Sequence, residues 1–198
     1  FEPEKLIAAA KRSLENLDTD YVDLLLLHWP DDRVPLSETM PALCELQKQG
    51  LTRNIGVSNF NIANIIEAKK YADMPISVNQ VEFHPFIKQN TLQTFLNNHH
   101  ILLEAYSPLA RGDVFDNEVI KEIADKHGIT PAQVSLAWIL SDKQRIAIPK
   151  TSNPEHLQGN LDAVKVTLSA DELEKIGSLA RSDGRKIKHP DYSPEWDD

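Results

Sequence analysis

The sequence predicts an α/β protein of the (β/α)₈ TIM-barrel class, of which residues 1–198 supply five consecutive strand–helix units. Three observations carry that prediction. Short, nearly continuous apolar runs alternate with segments of helical periodicity, the pattern of parallel strands covered by helices. Each run ends in polar or aromatic residues: His28, Ser58-Asn59, Gln80, Tyr106-Ser107 and Lys150. In a barrel, binding groups gather at these C-terminal strand ends. Finally, the seven glycines never form a G-x-G pair, so the phosphate loop of the competing doubly wound fold is absent. Five strands do not close a barrel of eight, and the chain is short of the roughly 250 residues typical of that fold.

The elements follow in order. Pro3 sits in the first turn of a helix whose apolar side is Leu6, Ile7, Ala10, Leu14 and Leu17. The run from Val22 to Leu27 is a buried strand closed by His28, Trp29 and Pro30. Residues 36–49 place Leu36, Met40, Leu43 and Leu46 on one helical side, with Gly50 as the stop signal. A strand over residues 54–57 ends at Ser58-Asn59, and residues 62–72 read as helix. Strand 76–81 contains Gln80, helix 91–98 follows, and strand 101–105 runs into Tyr106-Ser107-Pro108. Helices are expected over 117–126, capped by Gly128, and over 131–140. The last strand is expected over 145–149, followed by helices near 154–160 and 170–180. Residues 181–198 are Pro-rich and aperiodic, a loop, within which Arg185 to His189 reads as a solvated basic stretch.

Composition narrows the function. With 21 Lys+Arg against 30 Asp+Glu the net charge is −9, which excludes nucleic acid and anionic membrane as main partners. No apolar run approaches the length of a membrane span. A single cysteine, Cys44, builds neither a disulfide framework nor a thiolate metal site, and it points to a reducing compartment, hence the cytoplasm. Cys44 lies among helix residues and reads as a small packed hydrophobe. His99-His100 point to different sides of a helix end and lack a third ligand nearby, so no metal site is expected.

Six motifs in register resemble the aldo-keto reductases: residues 23–30 (DLLLLHWP), 50–60 (GLTRNIGVSNF), 79–85 (NQVEFHP), 106–109 (YSPL), 130–138 (TPAQVSLAW) and 148–151 (IPKT). The terminal Ser193-Pro194-Glu195-Trp196-Asp197 is similar to the bacterial 2,5-diketo-D-gluconate reductase branch of that family. The resemblance implies one reductase domain over residues 1–198 that reduces a small carbonyl compound or keto-sugar acid with NADPH, as a monomer. It implies His28 as the group that orients the substrate carbonyl, with Trp29 as a pocket wall and the C-terminal loop, residues 181–198, lining the substrate pocket, where its basic run could attract a sugar acid's carboxylate. Ser58, Asn59 and Gln80 would hold the nicotinamide carboxamide, and Tyr106 would stack on the nicotinamide face. Ser107 and the backbone N–H of Leu109 would meet the pyrophosphate. Lys150, Thr151, Ser152, His156 and Asn160 would take the adenosine end and its 2′-phosphate.

The chain departs from the family pattern in two places. His156 stands where the pattern usually has Arg, and Gly159 where it has an acidic residue, which weakens the expected preference for NADPH over NADH. In family order the Asp, Tyr and Lys of the catalytic set precede the helix that opens at residue 3. Only the His of that set is expected within this chain, and the N-terminal third of the pattern is expected ahead of Phe1. The alternative to an enzyme is therefore a non-catalytic NADP(H)-binding barrel or an inactive fragment.

Overall fold

The computed structural model describes residues 2–198; Phe1 lies outside them. Five strands form one sheet in the order β1-β2-β3-β4-β5: β1 Val22–Leu27, β2 Thr52–Ser58, β3 Ile76–Glu82, β4 Leu102–Tyr106 and β5 Arg145–Ala147. The β1/β2, β2/β3 and β4/β5 pairs are parallel. The helices are α1 Pro3–Leu17, α2 Leu36–Lys48, α3 Ile62–Tyr71, α4 Asn90–Asn98, α5 Glu118–His127, α6 Pro131–Leu140, α7 Pro154–Asp162 and α8 Ala170–Gly177. Strand and helix thus alternate as five units of the eight-unit barrel.

The chain divides into two compact units, and the division falls inside β3 and α4. The first comprises residues 1–80, 94–101 and 189–197. Its core is made by Leu6, Ala10 and Leu14 of α1, Met40, Leu43 and Leu46 of α2, and Ile55 and Val57 of β2, all buried. Gly56 is fixed by the tight β1–β2–β3 approach, because an added Cβ would lie 2.5 Å from a Leu26 methyl and 2.7 Å from the Val78 carbonyl oxygen. Gly50 follows α2 with φ at +74°, the left-handed conformation its stop signal demands.

The second unit comprises residues 81–93, 102–188 and 198. Its core joins Val114, Ile120, Ile123, Val134, Leu168 and Ile176. Helix ends follow local chemistry. Asn117 accepts from the Ile120 N–H to cap α5, and Thr130 and Ser169 each form a reciprocal box with the residue three positions on. α7 is capped by Asn153, which accepts from the Glu155 N–H, so neither Thr151 nor Ser152 is the cap.

Three expectations need correction. β5 stops at Ala147 rather than at residue 149. Pro149 has no N–H to extend a ladder, and only the Ile148 N–H still reaches a β4 carbonyl, that of Ala105, at 3.1 Å. A 3₁₀ turn over Ala110–Phe115, with Arg111 and Gly112 at positive φ, occupies a stretch for which no element was expected. Arg185 is not solvated: its side chain is 8% exposed and faces the buried Glu82 carboxylate.

Candidate active site

In the first unit, the apolar β1 ends at the buried Leu27 and releases His28, exposed, and Trp29, half-buried. Both line a cavity of about 400 Å³ together with Asp31, Arg33, His189 and Tyr192. The His28 and Trp29 rings are 6.3 Å apart, Trp29 and His189 5.7 Å, and His189 and Tyr192 4.4 Å. The wall is therefore aromatic and tilted ring on ring. Arg33 grips Asp31 with two parallel bonds of 2.7 and 2.9 Å, donates to the Tyr192 hydroxyl, and lies over that ring at 5.0 Å. These bonds from the guanidinium hold the Asp31 carboxyl down at about 2. The Asp191 backbone N–H donates to His189 Nδ1 at 3.2 Å, which leaves Nε2 to carry the proton in the neutral imidazole.

The loop 181–198 was expected to line the substrate pocket, but His189 and Tyr192 were not singled out within it. Their segment has no periodicity, and the one available signal was a His, a Tyr and Trp196 clustered in an otherwise polar tail. They reach the cavity because the tail is tied to the α3 end of the unit: Asn61 Nδ2 donates to the Glu195 carbonyl at 2.7 Å, and the Ile62 N–H donates to the Asp197 carboxylate at 3.1 Å.

Ser58, Asn59 and Gln80 form the second cluster of this unit. Asn59 is 1% exposed and has φ at +62°, a left-handed conformation that asparagine tolerates better than most residues. Its N–H and the Ser58 hydroxyl both donate to the Gln80 carbonyl, at 2.8 and 2.9 Å. Its Nδ2 donates to the His28 carbonyl at 3.0 Å and to Ser58 Oγ at 3.1 Å. One buried side chain thereby ties the ends of β1 and β2, while its own backbone is tied to β3. Asn79, which had no assigned role, braces the turn by donating to the Phe60 carbonyl at 2.8 Å.

In the second unit, Tyr106 closes β4 half-buried, and Ser107 follows at a φ of +48°. Burial pushes the Tyr106 phenol above its ordinary range, and the neighbouring Glu82 carboxylate pushes it further, so it remains a neutral ring. A stacking residue needs no more than that, whereas a phenol with a raised pKa is a weaker acid than an ordinary tyrosine.

Glu82 itself is wholly buried and sits in a net of donors: His84 Nε2 at 3.0 Å, the Lys186 N–H at 2.8 Å and the Ile187 N–H at 2.9 Å. Burial alone would raise this carboxyl, but those bonds outweigh it and the net direction is down. The Phe86 N–H donates to His84 Nδ1 at 3.3 Å, which fixes the proton on Nε2, facing Glu82. Desolvation lowers Arg185 to about 10, with Glu82 acting the other way. His84, previously without a role, is part of the anchor that holds residues 186–187.

Leu109, Lys150, Thr151, His156 and Asn160 line one further cavity, of about 300 Å³, whose apolar wall includes Phe115. The cavity opens beside the first turn of α7. Thr151 Oγ1 accepts from the Asn153 N–H at 3.1 Å, and Ser152 is exposed and outside the cavity lining. An apolar wall with a lysine, an imidazole and an amide beside it suits a planar base carrying a phosphate. The amide and hydroxyl edges of Asn59, Gln80 and Ser58 suit a carboxamide. Each cluster, taken by itself, thus has chemistry that suits one end of a nicotinamide dinucleotide. Among the described residues, no group of three His, Cys, Asp or Glu side chains comes together to hold a metal ion, and no helix is long and apolar enough to cross a membrane.

Parallel strands whose ends carry an imidazole, buried amides and a phosphate-suited cation define an oxidoreductase of the barrel class. The Aldo/keto reductase family model matches residues 1–181, and the chain belongs to that family. It is 40% identical over 197 residues to a protein named methylglyoxal reductase DkgB from Escherichia coli O157:H7, covering 98% of this chain and 73% of that one. It is 41% identical over 188 residues to a glyoxal reductase from Bacillus subtilis strain 168, covering 95% and 67% respectively. A crystal structure described as a 2,5-diketo-D-gluconic acid reductase B superposes with a TM-score of 0.97 at 37% identity, covering all of this chain and 70% of that one. A Gox0644 variant solved in complex with NADPH gives 0.86 at 38% identity, over 92% and 67%. The chain thus spans about 70% of the length of such relatives. Family members use NADP(H) and act on small carbonyl compounds, and this chain is a carbonyl-reducing oxidoreductase of that family.

Proposed function

We propose that the chain reduces small α-oxoaldehydes and related keto compounds, keto-sugar acids included, with NADPH as the reductant, acting as a monomer in the cytoplasm. The observation that carries this reading is the aromatic-walled cavity at His28, which presents imidazole donors to a small planar carbonyl. NADPH, when bound, supplies the hydride. His28 orients the carbonyl by donating to its oxygen, where negative charge grows as the hydride adds, and the alkoxide takes the proton that completes the alcohol from water reaching the exposed His28. Trp29 and His189 restrict the volume to compact substrates. Asn59, Gln80 and Ser58 hold the carboxamide by its donor and acceptor edges, and the Tyr106 ring presents a flat face to the nicotinamide. Ser107 and the Leu109 N–H serve the pyrophosphate. Lys150, Thr151, Ser152, His156 and Asn160 serve the adenosine 2′-phosphate end. The names of the relatives, methylglyoxal, glyoxal and diketogluconate reductases, support this substrate range.

A second reading, a barrel that binds NADP(H) without turnover, is favoured by one observation. Tyr106, the tyrosine at a strand end, has its phenol pushed up by burial and by Glu82, which makes it a weaker acid than an ordinary tyrosine. The assay that separates the two follows NADPH absorbance with methylglyoxal, glyoxal or 2,5-diketo-gluconate. Consumption of NADPH in step with alcohol formation is expected; tight NADPH binding with no consumption on any of the three supports the binder.

A further inference from the structure

Of the tail's basic run, Arg185 is turned onto Glu82 and Lys186 is paired with Asp113. A cation outside that run borders the His28 cavity. Arg33, in the loop after β1, lines it together with Tyr192. Its Nε and Nη2 both hold Asp31, and Nη2 also donates to the Tyr192 hydroxyl. Asp31 is tucked behind this arrangement, its side chain 10% exposed against 70% for that of Arg33. The ion pair therefore turns its cationic edge outward and keeps its carboxylate in. Nη1 has no hydrogen-bond partner among the described residues. The Tyr192 hydroxyl accepts from Arg33 and so keeps its own proton to give. Stacking over the Tyr192 ring at 5.0 Å steadies the guanidinium plane.

We infer that Arg33 and the Tyr192 hydroxyl form a carboxylate subsite, which makes the chain favour carbonyl compounds bearing an acid group over neutral ones of equal size. This rests on reading the His28 cavity as the substrate site. His28 takes the carbonyl oxygen and the Arg33 edge takes the acid group, so one ligand is held at two points. A carboxylate accepts from Nη1 and from the Tyr192 hydroxyl together, with the first bond charge-assisted. Asp31 helps rather than cancels the site. It fixes a side chain that otherwise has wide rotamer freedom, so less freedom is lost when the ligand arrives. An adjoining cavity of about 580 Å³ shares Asp31 and Arg33 and is lined as well by Glu2, Lys5 and Arg12. Cations thus outnumber carboxylates around Arg33, which favours an anion there.

The test reads binding and needs no turnover. Saturation-transfer NMR on the 198-residue chain, with NADP⁺ added, compares 4-oxopentanoate with its methyl ester, ligands alike in shape but not in charge. The wild type is expected to bind the acid about tenfold more tightly, the margin of one charge-assisted hydrogen bond. That margin should shrink as salt rises toward about 1 M. Arg33→Gln should bring the ratio to about one or below, because Asp31 is then unpaired. Arg33→Lys should keep part of the preference, and Tyr192→Phe should lower it about threefold. Partial unfolding weakens both ligands alike and leaves the ratio, so the ratio separates recognition from stability. Equal binding of acid and ester by the wild type, or an acid preference that survives Arg33→Gln, overturns the inference while leaving the substrate-site reading intact. Binding of neither ligand overturns the substrate-site reading and the inference with it.

Discussion

The two regions assigned to the cofactor are built on opposite principles. Around Asn59 almost everything is buried and tied: a left-handed backbone, one amide serving the ends of β1 and β2, and a shared carbonyl at Gln80. Around Lys150 and His156 the side chains are exposed and short of fixed partners, standing against an apolar wall. The difference matches what each region is proposed to recognise. A carboxamide is neutral and must be read by the geometry of its donor and acceptor edges, which requires groups that do not move. A phosphate brings its own charge, and a cation at a cavity mouth attracts it without being locked in place. The first region should therefore couple binding to stability, and the second should not.

Glu82 tests the stability side of that contrast most severely. Glu82→Ala leaves the His84 imidazole, the Arg185 guanidinium and two backbone N–H groups without their common acceptor, and should cost about 3–5 kcal/mol in urea unfolding. A loss below about 1 kcal/mol would mean that burial and pairing are not what hold the tail. Next comes Asn59→Ala, expected to lose about 2–3 kcal/mol from broken buried bonds and a strained left-handed alanine, together with cofactor affinity. Asn59→Gly sharpens this, because it keeps the backbone conformation but removes the amide: stability should partly recover while binding does not.

The acid limb gives a smaller effect. Lys126, the Ser169 N–H and His127 hold Glu172 at about 2, well below an ordinary carboxylate. A depressed carboxyl contributes stability that is fully present above its unfolded value and lost as the pH falls through its folded value. Stability should thus decline from roughly pH 4.5 downwards, and Glu172→Gln should flatten that decline at the cost of some stability at neutral pH. An unchanged acid limb would remove Glu172 from the account. The smallest stability effect is expected at Lys150→Met, within about 0.5 kcal/mol of wild type, although NADPH affinity should fall roughly 10- to 100-fold and NADH affinity little. Equal losses for both cofactors would break the assignment of Lys150 to the 2′-phosphate.

The contrast also explains what could be read from the sequence. The strand Val22–Leu27 announces itself as an apolar run broken only by Asp23, and Ile76–Glu82 more weakly, through Ile76, Val78 and Val81 among polar residues. Their polar ends stand out against that background, which is why His28, Asn59, Gln80 and Tyr106 were legible. Gly50 and Gly128 mark their helix ends through conformations that few other residues adopt. Arg185 was misread because its partner, Glu82, is more than a hundred positions away and no local pattern links them. The resemblance pointed to the loop 181–198 as pocket-lining, but His189 and Tyr192 could not be picked out within it, being placed by tail contacts to Asn61, Ile62 and Arg33. The 3₁₀ turn after Leu109 hides its geometry because Ala110 and Arg111 adopt left-handed conformations that their types do not advertise. Local chemistry shows in the sequence; the closure of a pocket by a distant segment does not.

The central claim is that this chain transfers hydride to a small carbonyl at the His28 cavity. The most direct measurement is NADPH oxidation with methylglyoxal, run beside NADPH binding by fluorescence, for wild type and His28→Ala. The account predicts that wild type consumes NADPH in equal amount to the hydroxy product formed. It predicts that His28→Ala binds NADPH as tightly but turns over at least about tenfold more slowly. Saturable NADPH binding with no consumption in the wild type, or turnover unaffected by His28→Ala, would contradict it.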